Sequence, residues 1–316
     1  MRLQLFIAIL FLAFKNADAQ LAIDEISNDD DAVRFVQRYS DTYKLEWKKV
    51  GVDIYSIFPK RFLTPEEILI VDSLTKRKWI KADFNQDGKT DLIFSGKIYS
   101  QLAVLAFLTR NDSVELKYIG STVFSFYPTG IEELDVDNKS FLVVNCVERN
   151  QLKIDWKKDL KRDTLIYKFD GFVEYNSKPA SKFKFDSVVF RIFSTWSGVI
   201  DIPVMKIFRD GNVTLQGNKS SYRYDSTLWV NGVYESKINV EMIKELEDLL
   251  GYINFPGLED EYEIKLVSDL ATVVTEVYYE GKMKKVKDYG YHGTFGLHLL
   301  YKFLNKIKTS CRTRKD

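Results

Sequence analysis

Residues 272–289 read TVVTEVYYEGKMKKVKDY. Thr272–Tyr279 is dense in β-branched and aromatic side chains, Lys282–Tyr289 sets lysines against Met283, Val286 and Tyr289, and Glu280-Gly281 is the only break between them. A two-residue link with glycine folds one strand back antiparallel on another, because it accepts the positive φ that such tight turns need. The stretch therefore predicts a β-hairpin, and with it an antiparallel sheet. Downstream, Leu297, Leu300, Tyr301, Leu304 and Ile307 fall on one face of a helix spanning Thr294–Lys308. Upstream, Ile243, Leu246, Leu249 and Leu250 form a similar stripe on a helix capped by Asn239 and stopped at Gly251. A helix with one apolar stripe has one face to bury, so both helices are expected on one face of the sheet. Strand patterns at Val188–Phe193, Pro203–Phe208, Val213–Gln216, Ser226–Val230 and Val233–Ser236 supply the rest of that sheet.

The polar stretch Asn176–Ser181 separates this region from what precedes it. The predicted organisation is a leader at 1–19, an N-terminal domain at 20–180 and a C-terminal domain at 183–316, in the α+β class, each domain built on a mainly antiparallel sheet. In the N-terminal domain, Asn28–Asp31 leads into a helix with Ala32, Val33, Phe35, Val36 and Tyr39 at helical spacing. Thr64-Pro65-Glu66-Glu67 begins a second, with Thr as cap, Pro in the first turn and Glu three positions on; Ile68, Leu69, Val71 and Leu74 are its expected buried side. Strands are predicted at Trp79–Ala82, Asp91–Ser95, Leu102–Leu108, Val114–Ile119, Phe124–Tyr127, Ile131–Asp135, Ser140–Val147, Thr164–Phe169 and Phe172–Tyr175, with turns at Pro128–Gly130 and Asp170-Gly171. They read as one open meander.

The composition is that of a folded chain: 316 residues, 45% hydrophobic, 14% aromatic, with 16 Gly and 6 Pro. Arg2, the ten apolar residues Leu5–Phe14 and the small-x-small Ala17-Asp18-Ala19 have the layout of a secretory signal cleaved before Gln20. The apolar run is too short for about 30 Å of hydrocarbon, and no later segment holds 18 apolar residues, so no integral membrane segment is expected after cleavage. Cleavage removes Arg2, Lys15 and Asp18 and leaves 44 basic and 44 acidic residues. That balance lacks the basic stripe of a nucleic-acid binder. The two cysteines, Cys146 and Cys311, are too few for a disulfide scaffold or a cysteine zinc site; whether they pair is open.

One motif carries defined chemistry. Asp83-Phe-Asn85-Gln-Asp87-Gly88-Lys89-Thr-Asp91 places side-chain oxygens at positions 1, 3, 5 and 9 and glycine at position 6. Alternating oxygens wrap a short loop around a hard cation, and Ca²⁺ takes 6–8 such donors. Asp83, Asn85, Asp87 and Asp91, with the Lys89 carbonyl, are therefore the candidate ligands of a structural calcium ion. Position 12 is Phe94 in place of the EF-hand glutamate, and the flanks are strand-like. Residues 83–94 thus resemble a single calcium loop of the FG-GAP type, without the repetition that builds a propeller.

A second resemblance rests on sequence order: Arg209-Asp210-Gly211-Asn212-Val213, Gly217, Gly232-Val233-Tyr234, a helix, Asn254-Phe255, Tyr262, Asp269, Thr272, Gly281-Lys282, Val286 and Asp288-Tyr289. Over about 184–309 the chain resembles an uncharacterised family of exported bacterial envelope domains. The Gly-x-Cys-Pro turn frequent in that family is replaced by Thr195–Pro203, without cysteine. The resemblance implies a secreted or periplasmic, Gram-negative envelope setting and no particular chemistry.

No helix-borne His pair, nucleophile elbow or phosphate loop occurs; the two histidines are His292 and His298. Glu132-Glu133, Glu259-Asp260-Glu261, Glu263 and Asp269 are the acids that a carboxylate-based hydrolase of envelope glycans or peptides would draw on. Trp196, Tyr222, Tyr224 and Trp229 are aromatics able to stack on a sugar, though cores usually absorb such residues. The sequence favours a non-enzymatic module that binds an envelope protein or glycan, with the hydrolase as the alternative.

Overall fold

The computed structural model describes residues 23–39, 60–74, 77–98, 101–110, 113–119, 126–148, 160–179, 182–193, 204–217, 232–263 and 270–312. These form mainly antiparallel sheets with four α-helices, in two compact units, Met1–Phe172 and Val173–Asp316. The first two residues of the expected strand Phe124–Tyr127, and all of the expected strand Ser226–Val230, lie outside the described residues.

In the first unit, helix α1 (Asp29–Tyr39) starts where Asn28 Oδ1 accepts the Asp31 N–H at 3.0 Å. Its first-turn aspartates lie at the positive end of the helix dipole, and Ala32, Phe35 and Val36 face inward. Helix α2 (Pro65–Leu74) begins with the predicted capping box: Thr64 N–H donates to Glu67 Oε2 at 2.7 Å, and Glu67 N–H to Thr64 Oγ1 at 3.2 Å. Val71 is buried as expected, but Leu69 is exposed, one position round from the buried stripe.

Strands β1 (Trp79–Ala82), β2 (Asp91–Ile98), β3 (Gln101–Arg110) and β4 (Ser113–Ile119) pair in chain order. Leu92, Phe94, Leu105 and Phe107 of β2 and β3 meet Ile23, Ile26 and the inner face of α1 in one core. Phe35 and Phe107 touch edge to face at 5.4 Å, a geometry worth about 0.5–1.5 kcal/mol beyond the area buried. Lys78 Nζ and the Trp79 indole N–H both bind Asp29, at 2.8 and 3.1 Å, and fasten the start of α1 to β1.

The expected single meander is instead two sheets. A second four-stranded set, β5 (Phe126–Val136), β6 (Lys139–Glu148), β7 (Leu160–Lys168) and β8 (Gly171–Glu174), the last two residues of which belong to the second unit, again pairs in chain order, and β5 lies against β1, β2 and β3. Pro128–Gly130 is a bulge within β5 and not a turn: the β6 ladder is regular on both sides of a register shift there. The break fits a proline that has no N–H to give the ladder. The last turn of this sheet is Phe169-Asp170, both at positive φ, so Gly171 opens β8 and does not belong to the turn.

The second unit is one seven-stranded sheet in the order β12-β11-β10-β9-β14-β15-β13, with β9 (Ser187–Phe193), β10 (Val204–Phe208), β11 (Asn212–Gly217), β12 (Gly232–Lys237), β13 (Glu261–Glu263), β14 (Thr272–Tyr279) and β15 (Lys282–Tyr289). The hairpin stands as read: Tyr279 pairs with Lys282 around Glu280-Gly281. All neighbours are antiparallel except β13 beside β15. At Gly211, φ is +89° and an added Cβ would lie 2.6 Å from the Ile238 carbonyl oxygen, so no side chain fits the β10–β11 turn.

Helix α3 (Val240–Tyr252) is capped by Asn239, whose Oδ1 accepts the Met242 N–H at 2.9 Å. Gly251 lies inside the helix; the chain turns at Asn254, which takes the left-handed conformation. Helix α4 (Phe295–Arg312) buries Leu297, Leu300, Tyr301, Leu304 and Ile307, and the Tyr301 ring sits 6.2 Å from that of Phe190 on β9. It runs one turn beyond the predicted end and buries Cys311. Among the described residues, no helix is long and apolar enough to cross a membrane.

Candidate metal centre

The Asp83–Thr90 segment links β1 to β2, whose ladder closes on the Ala82–Asp91 pair. Gln86 and Gly88 have φ of 61° and 84°, which coil the link into a tight loop. Its oxygens turn inward onto backbone N–H groups. The two oxygens of Asp83 accept from Asp87 at 3.1 Å and Gly88 at 2.8 Å. Asn85 Oδ1 accepts from the same Asp87 N–H at 3.0 Å, and Asp87 Oδ1 accepts from Lys89 at 3.0 Å.

Asp91 is the fixed base of the loop. It is fully buried, with Oδ2 accepting from Phe84 and Asn85 at 3.0 and 3.2 Å and Oδ1 from Thr109 at 2.8 Å. Burial pushes its carboxyl up to about 7; the three N–H donors pull down against that, and the charge of Asp87 adds to the rise.

The donor chemistry fits a hard cation. A carboxylate or amide oxygen has two lone pairs, and the bonds to Asp83, Asn85 and Asp87 occupy one on each oxygen. No side-chain cation pairs with Asp83, Asp87 or Asp91 among the described residues. Among those residues no three of His, Cys, Asp and Glu converge as a metal-holding group, the loop aspartates Asp83, Asp87 and Asp91 included; the Asn85 amide and the Lys89 carbonyl are the other expected donors. Thr109 is the contact that sequence spacing does not reveal, because it lies on another strand.

The acids considered for hydrolysis are dispersed in surface pairs. Glu132 binds Asn145 at 2.9 Å and Arg162 at 3.0 Å, Glu133 accepts from Ser140 at 3.3 Å, and Asp260 and Glu261 each hold a lysine, Lys284 and Lys287, at 2.5 Å. Glu261–Glu263 of the run 259–263 also form edge strand β13, which the run's acidity conceals. Asp269, Trp196, Tyr222, Tyr224 and Trp229 lie outside the described residues. Cys146 and Cys311 are buried and not joined in a disulfide, and burial pushes Cys146 far above the usual thiol range.

Two polar groupings escape sequence reading. In the first unit, Asp170 accepts from Arg110 at 2.9 Å, Lys117 at 2.8 Å and Tyr167 at 2.9 Å, which ties the two sheets together. In the second, acids hold the approach to α4. Asp288, fully buried, accepts from His292 at 2.6 Å and Gly293 at 3.1 Å, and Glu174 caps the helix through Phe295 and Gly296, at 2.5 and 2.8 Å. Burial raises Asp288 to about 6 and lowers His298, whose Nε2 lies 2.8 Å from the Tyr291 carbonyl, to about 4. Asn176 bonds the Tyr252 carbonyl at 2.7 Å and its hydroxyl at 3.1 Å.

No curated protein matches the chain. Residues 201–308, about a third of it, match the family profile described as Domain of unknown function (DUF6438), so the second half of this protein carries a domain of unknown function.

Proposed function

We propose that this is an exported protein of the bacterial cell envelope, secreted or periplasmic, acting as a non-enzymatic module that binds an envelope protein or glycan and is stabilised by a structural calcium ion. The ligands are Asp83, Asn85, Asp87, Asp91 and the Lys89 carbonyl. The observation that supports this most directly is the donor set of the loop: the carboxylates of Asp83 and Asp87 lie in one tight loop with Lys89 as the basic side chain of the nine residues, and each of their oxygens retains a lone pair beside the bond it accepts. A bound divalent cation adds positive charge and cross-links the loop. Export is supported by the apolar leader and its Ala-Asp-Ala site. The hydrolase alternative has no comparable support, since Glu132, Asp260 and Glu261 are each bound to a cation.

Thermal melts in millimolar Ca²⁺ and in chelator test the reading. A ligand bound only to the folded chain stabilises it by about 2.7 kcal/mol at a hundred times Kd. Calcium should raise the melting temperature of the wild type, and Asp87→Ala should abolish the rise. Identical wild-type melts would overturn the calcium assignment.

A further inference from the structure

We infer that Thr109 is a positioning residue for the proposed cation site, assembling it from outside the loop. The inference rests on the calcium reading above. Thr109 lies on β3, is fully buried, and stands 18 residues from Asp91 in the chain. The β2–β3 ladder pairs Leu92 with Phe107 and ends there, which sets Thr109 across from Thr90, the last residue of the loop. Side chains replace the next rung. The Thr109 N–H donates to Asp91 Oδ1 at 2.8 Å, and the Thr109 hydroxyl donates to the Thr90 carbonyl at 2.8 Å. The Thr109 carbonyl in turn accepts from Asn85 Nδ2 at 3.4 Å.

One buried residue thus holds positions 3, 8 and 9 of the nine-residue motif. The arrangement also accounts for asparagine at position 85. Its amide donates to Asp87 Oδ2 at 3.2 Å and to Thr109, which an aspartate could not do, while Oδ1 stays on the side of Asp83 and Asp87. A loop held this way is ordered before a cation arrives, so binding spends less free energy on ordering it. Affinity then belongs to the sheet as much as to the loop.

The test compares the full mature chain as wild type, Thr109→Val, Thr109→Ala and Thr109→Ser. Three readouts are used: calorimetric titration with Ca²⁺, Tb³⁺ luminescence decay in H₂O and D₂O to count metal-bound waters, and melts in chelator. Removing the hydroxyl takes its bond from the part-buried Thr90 carbonyl, and the expected loss is about tenfold in Ca²⁺ affinity for Val and Ala, with added water on Tb³⁺. Serine, which restores the hydroxyl, should return affinity to within about threefold of wild type. A Val or Ala variant that melts lower in chelator yet keeps wild-type affinity and decay would overturn the inference, leaving Thr109 only structural. If Val does not fold, Ala and Ser decide by the same criteria. A wild type that binds neither Ca²⁺ nor Tb³⁺ would instead remove the calcium reading and the inference together.

Discussion

Replacing Asp288 by asparagine should change how stability depends on pH, and the structure gives both sign and size. Burial carries this carboxyl from 3.8 to about 6, against the pull of the His292 and Gly293 N–H groups. At 1.36 kcal/mol per pH unit, its charged form is about 3 kcal/mol costlier folded than unfolded. Between those two values the folded chain binds more protons than the unfolded one. The penalty is therefore absent below about 4, grows as pH rises through the window, and is complete above about 6. Acidifying from pH 7.5 to 5 recovers about 1.3 kcal/mol from this group.

His298 works in the opposite direction. Its folded value near 4 lies below the ordinary 6.5, so the unfolded chain protonates first and stability falls over the same descent. The two largely mask one another in the wild type, and only the difference between wild type and Asp288→Asn isolates the aspartate. The amide keeps an acceptor for the His292 and Gly293 N–H groups, so the variant should fold. Urea unfolding of both full chains at pH 5 and 7.5, followed by far-UV circular dichroism, is the assay. The wild type should gain about 1.3 kcal/mol relative to the variant on going to pH 5. Parallel stability curves, or a relative loss, would refute the buried-charge reasoning.

The chain from 173 to 316 should fold alone, and its melt should not respond to calcium, because the loop lies in the other unit. It should also melt above the shorter fragment 183–316, which lacks the Glu174 cap on α4 and the Asn176–Tyr252 bonds; a lost cap alone typically costs about 1 kcal/mol, and equal melts would count against it. Protein isolated from its host should have an intact mass starting at Gln20, whereas Met1 retained in a membrane fraction would contradict export.

Local chemistry was legible wherever the determining atoms are close in sequence. The Thr64–Glu67 capping box, the Asn239 cap and the Glu280-Gly281 turn each depend on residues no more than three positions apart. Reading failed where a distant partner decides. Pro128 and Gly130 have turn chemistry, yet β6 holds them in one strand. Glu261–Glu263 looks like a solvated acidic run until Lys284 and Lys287 stand beside it. The candidate metal site divides in the same way: its acids follow one another in the chain, while Thr109 arrives from β3. Glu174 and the helix end it caps are 121 residues apart, a distance no spacing rule covers.

The position of β9 has a kinetic consequence. It is the middle strand of the second sheet, pairing with β10 on one side and β14 on the other, and it precedes residue 201, where the family match begins. Along the chain, β10 follows it within about a dozen residues, but Val277, which pairs with Val188, comes roughly ninety residues after it. An apolar strand with an open edge is a template for pairing with other chains. The unfolded chain is therefore prone to aggregate while β9 lacks β14, and a chaperone holding β9 until the two strands meet would act on its weakest moment.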